Sequence, residues 1–137
     1  MTSAVAPRHR WQSICLWPLR VTTTLAAATY LFQAVSAGQF LDGDYAFLHL
    51  HQLGTTAADL LMFAALVSAA GLKWIASGPL TPFLITFVAM LVSQGQAAAG
   101  AARIIWLHVP LGVVLIGLVW VLAWGTWGTK GWQGGPR

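Results

Sequence analysis

Between Val21 and Trp124 the only charged residues are Asp42, Asp44, Asp59, Lys73 and Arg103. They cut the chain into four apolar runs, and only Asp59 falls well inside one. A bilayer-crossing helix needs about 20 predominantly apolar residues. The expected spans are 21–40, 46–70, 82–100 and 104–124, joined by short turns. The Leu41–Asp42–Gly43–Asp44 stretch is a polar turn, Ser77–Gly78–Pro79 is a connection, and Arg103 marks a third turn. Pro82 suits the first turn of span three, whereas Pro110 makes span four begin late or bend. The reading is an all-α, integral membrane, four-helix up-down bundle over 17–126. A basic leader (1–16) and a basic tail (127–137) flank it.

Composition excludes the alternatives. Charged residues make up 7% of the chain, against about 25% in a soluble domain, so a water-facing surface cannot be built. The net charge of +4 sits mostly in the two tails, which argues for lipid headgroups and against nucleic acid. The single cysteine, Cys15, rules out an intrachain disulfide and a multi-cysteine metal site. The first apolar run is a retained span, not a cleaved signal. Arg8, Arg10, Arg20, Lys73, Lys130 and Arg137 fall on one side of the bundle, and Asp42, Asp44 and Arg103 on the other. The positive-inside rule then puts both termini in the cytoplasm, and the expected location is a bacterial plasma membrane. Trp11, Trp17, Trp127 and Trp132 are interface anchors, and His9 is a solvated tail residue.

Two histidines open the second and fourth runs. With those runs entering from the same face, His51 and His108 lie at one depth near the outer surface. A repeat accompanies them. Gln33–Ala34 with Gly38, then His51–Gln52–Leu53–Gly54, is echoed by Gln96–Ala97 with Gly100, then His108 to Gly112. It reads as two helical hairpins related by a pseudo-two-fold axis, with the histidines facing across the bundle. Small residues at 36–38 and 97–102, together with Gly54 and Gly112, thin the helices at that depth. One reading is a b-type haem held by His51 and His108 as metal ligands. The other is close helix approach with histidines hydrogen-bonding between helices. His49 points about 200° away from His51 around the helix, so one of the two faces the core, and His51 carries the echo. Arg103, one turn before His108, is a candidate partner for a haem propionate or a solvated loop cation.

From about Leu31 to Leu118 the order is a span end with Gln and Gly, then His–Gln–Leu–Gly–Thr–Thr–Ala. Ser93–Gln94–Gly95 with Ala–Ala–Gly and Leu107–His108–Val109 follow. This pattern resembles one four-helix half of the haem A synthase family, and small four-span bacterial proteins of the same kind. The resemblance implies axial ligation by His51 and His108. Leu48 stands where that family's catalytic half has a glutamate, and the paired outer-loop cysteines are missing. The resemblance therefore implies haem holding or electron transfer beside a respiratory complex, without haem hydroxylation, and pairing with a second copy.

Asp59 is expected near the midplane, with Tyr30, Gln33, Ser93 and Gln94 at similar depth. Intramembrane carboxyls are costly and mark function. The competing readings are a satisfied, protonated carboxyl in a polar cluster, a proton relay, and the proton site of a small permease. A cofactor-free assembly subunit is the remaining alternative.

Overall fold

The computed structural model describes the backbone of residues 6–128 and the side chains of residues 11–128. Residues 1–5 and 129–137, which hold part of the expected leader and most of the expected tail, lie outside the described residues. The chain is all helical: α1 (Ala6–Leu41), α2 (Ala46–Trp74), α3 (Thr81–Ala101) and α4 (Ile105–Gly128). Each helix packs on the next, and α4 closes the ring on α1. Thus α2 and α4 stand on one diagonal.

Three helices, α2, α3 and α4, are long and apolar enough to cross a membrane. Arg20, Thr22, Thr23, Thr24 and Gln33 dilute the apolar run of α1, which is not among them. The exterior of the bundle is nonetheless apolar along every helix. Leu25, Leu31, Leu60, Phe63, Val67, Leu91, Val113 and Val121 are exposed. A soluble monomer does not leave such surface bare, and the arrangement fits lipid contact.

Inside, small residues set the spacing. Ala26, Ala27 and Tyr30 of α1 meet Ala58 and Met62 of α2, Ala89 of α3, and Leu115 and Val119 of α4. A second cluster joins Leu16 and Leu19 of α1 to Ala65, Ala69 and Leu72 of α2 and to Ala76. Core threonines remain compatible with helix by bonding back one turn: Thr23 Oγ1 donates to Leu19 O at 2.7 Å and Thr86 Oγ1 to Pro82 O at 2.7 Å.

The element bounds correct the reading of the ends. The leader is helical from Ala6, because Leu16 and Leu19 have an apolar face of α2 to cover. Gln12 also reaches Ala76 O at 3.4 Å. For the same reason α2 runs on past Ala70 to Trp74. Helix α4 starts at Ile105, so Pro110 lies inside it, and it ends beyond Trp127. The turns are tight: Gly43 takes φ 105°, a value glycine adopts at no steric cost, while Ser77 (53°) and Arg103 (58°) enter the left-handed region in the other two connections.

Candidate functional site

The short α1–α2 and α3–α4 turns bring the starts of α2 and α4 to one end of the bundle. His51 is in the second turn of α2 and His108 in the first turn of α4. Both are half-buried. Their rings face each other across the diagonal with centroids 6.2 Å apart and planes at 71°. His49 is exposed on the outer face of α2.

Each ring is fixed in the same way. His108 Nδ1 lies 2.8 Å from Gln96 O, and His51 Nδ1 lies 3.2 Å from Gln33 O. A carbonyl oxygen only accepts, so Nδ1 carries the hydrogen in both and Nε2 keeps its lone pair. Ser36 adds to the first arrangement: its Oγ is 3.1 Å from His51 Nδ1 and donates to Gln33 O at 3.1 Å. Carbonyls inside a helix are normally spent on the ladder, and their second lone pair serves here.

The two glutamines that lend their carbonyls also place their amides at the site. Gln96 Nε2 donates to His108 Nε2 at 3.4 Å. Gln33 Oε1 accepts from Thr55 Oγ1 at 3.3 Å, while Gln33 Nε2 is buried with no partner. An orphaned buried donor is rare, and this one sits on the wall of a cavity.

That cavity has a volume of about 280 Å³ and lies between the four helices at the histidine end. His51, His108, Gln33 and Gln96 share its wall with apolar side chains such as Ala34, Val109 and Ile116, and Tyr30 and Ser93 line it as well. Its polar groups are few among many apolar atoms, the usual make-up of a ligand pocket.

The glycines act differently from the expectation. Gly54 is not on the cavity wall: a Cβ there would collide with the Gln33 amide. Gly112 does line the cavity, but the nearest atom to a Cβ at that position is Gln96 Nε2, at 3.3 Å. Both make room for a glutamine that serves a histidine, not for a cofactor directly. Gly100 is the one that faces a ring, with a Cβ falling 2.7 Å from His108. Arg103 is exposed in the α3–α4 turn and does not line the cavity. Ser36 and Gln96 are the site residues the sequence reading left out. Gln96 was signalled as the counterpart of Gln33 in the repeat, and Ser36 only by its place in a run of small residues at the histidine end.

Deeper in the bundle, Asp59 Oδ1 accepts from Ser93 Oγ at 3.2 Å and from Gln94 Nε2 at 3.0 Å. Tyr30 OH then donates to Ser93 Oγ at 2.8 Å. Of the neighbours expected for Asp59, Ser93 and Gln94 bind it, Tyr30 reaches it through Ser93, and Gln33 belongs to the histidine level instead.

No family model, no curated protein and no solved structure matches this chain.

Proposed function

We propose that this chain is a four-span membrane protein that binds one haem b between His51 and His108 and serves electron transfer or haem handling at the outer membrane face. The observation that carries the reading is the facing pair, with both Nδ1 atoms tied to backbone carbonyls, which makes Nε2 the acceptor nitrogen of each ring; that of His108 is met by the Gln96 amide at 3.4 Å. His51 and His108 would each supply one ring nitrogen to the iron, and ring centres 6.2 Å apart are compatible with both reaching one metal.

The donor set favours a metal that brings its own equatorial ligands. Among the described residues no three His, Cys, Asp or Glu side chains are grouped to hold a bare ion. Two histidines suffice for a porphyrin iron, to which the protein adds axial ligands and a dry pocket. The cavity, about 280 Å³, falls just below the roughly 300–1,000 Å³ of ligand sites, so a haem would need the pocket to widen and the Gln96 amide to leave His108 Nε2. When bound, haem supplies a one-electron iron couple. The chain's part is to hold each imidazole in one tautomer, through Gln33 O and Ser36 for His51 and Gln96 O for His108, and to keep water out with Val109, Val113 and Ile116.

The matching contacts, Gln33 O to His51 and Gln96 O to His108, support two hairpins related by a pseudo-two-fold axis. From Arg20 to Leu41, α1 rises about 31 Å, enough to cross the hydrocarbon core and complete the fourth span. Both termini then lie on the cytoplasmic side.

Adding haemin to the apo-protein in detergent tests the proposal. A six-coordinate, low-spin spectrum is expected for the wild type, and a five-coordinate or absent one for His51→Ala and for His108→Ala. A wild type that takes up no haemin, or variants with unchanged spectra, would overturn it.

A further inference from the structure

The bundle end opposite the cavity carries a second constructed feature. Arg20 of α1 is held at three points. Its Nε donates to Thr126 O at 2.9 Å. Its guanidinium carbon lies 5.4 Å from the Trp17 ring centre and 5.0 Å from that of Trp127, within cation–π range. The two indoles meet edge to face at 5.7 Å, and Trp127 Nε1 donates to Thr24 Oγ1 at 3.0 Å.

Thr126 lies close to the C-terminal limit of the described part of α4. That bond uses one of the five guanidinium N–H groups and leaves the two Nη atoms. Among the described residues no acid reaches them. Asp42 and Asp44 lie beyond the far end of α1, about 33 Å along the helix. Asp59, level with Tyr30 through Ser93, is at mid-bundle. Among the described residues the positioned guanidinium thus has no carboxylate beside it, at the end of the bundle away from the cavity.

We propose that Trp17, Arg20 and Trp127 form a binding site for the headgroup phosphodiester of an anionic phospholipid in the inner leaflet. The planar fork of arginine matches two phosphate oxygens. Tryptophan belongs at the headgroup boundary, where its ring covers the glycerol end of the acyl chains. The net charge of +4 favours a headgroup with net negative charge over a zwitterionic one. The site is independent of the haem reading, since no residue is shared.

The test uses the full chain in detergent micelles, titrated with phosphatidylglycerol or phosphatidylcholine. Bound lipid is counted by native mass spectrometry and the unfolding midpoint followed in parallel. Phosphatidylglycerol should bind about fivefold tighter, the effect of one basic group at an anionic surface. Arg20→Gln should abolish the preference, Arg20→Lys should restore only part of it, and Lys73→Gln should leave it intact. Should Arg20→Gln fail to fold, Trp127→Leu, which leaves the Arg20–Thr126 bond in place, should weaken phosphatidylglycerol binding. Equal binding of the two lipids, a preference that survives in Arg20→Gln, undiminished phosphatidylglycerol binding in Trp127→Leu, or the same stabilisation by inorganic phosphate alone would overturn the proposal.

Discussion

Replacing Gly100 by alanine isolates the packing of the histidine site. Gly100 is the penultimate residue of α3, and a Cβ there would lie 2.7 Å from both Cε1 and Nδ1 of His108. Carbon atoms rest at about 3.5–4.0 Å, so the ring would have to retreat by about 1 Å. It is not free to do so, because Nδ1 is bound to Gln96 O at 2.8 Å. Overpacking costs about 1–3 kcal/mol, and loss of the hydrogen bond adds about 1 kcal/mol. The better helix propensity of alanine returns up to about 1 kcal/mol. The expected net effect is a destabilisation of about 1–3 kcal/mol. Gly117, inside α4, has nothing within 4 Å of such a Cβ. The same substitution there should be neutral or stabilising by up to about 1 kcal/mol. Denaturant unfolding in mixed micelles, followed by helical circular dichroism, reads the difference, and propensity largely cancels between the two variants. Equal stabilities for Gly100→Ala and Gly117→Ala would refute the close contact of ring and helix.

Three other outcomes are expected. Ser36→Ala removes one of two partners of His51 Nδ1 and should lower haem affinity by up to about tenfold, read by haemin titration; an unchanged affinity would mean that Gln33 O alone orients the ring. Asp59→Asn keeps an oxygen for Ser93 and Gln94 and should change unfolding stability by less than about 1 kcal/mol. A much larger loss would point to an ionised Asp59, and loss of proton-coupled uptake on the same substitution would favour a permease. In a Cys15→Ser background, Asp42→Cys should react with an impermeant maleimide added outside intact cells, whereas Lys73→Cys should not; the reverse pattern would invert the topology.

The number of helices, their order and the level meeting of His51 with His108 were legible in the chain. They follow from spacing, because four largely apolar runs joined by short turns favour an up-and-down fold. The choice of His51 over His49 was legible from the repeat, which only His51 shares, since the helical angle lets one of the two face the core. What escaped depends on partners distant in sequence. The leader reads as basic and polar as far as Leu16, yet Leu16 and the following Leu19 are buried once α2 is beside them. Gly54 looked like thinning for a cofactor, whereas its space is taken by the amide of Gln33, 21 positions earlier. The bond from Arg20 to Thr126 O spans 106 positions, and no local pattern announces it. Ser36 was hidden because a serine in a run of small residues reads as packing until its hydroxyl is seen beside an imidazole.

The most direct measurement is the absorption spectrum of the protein purified from haem-replete membranes, with haem counted per chain. The account predicts a Soret band at one haem per chain, absent from His51→Ala and from His108→Ala that still fold. A colourless wild type, or a band that survives in both variants, would contradict it.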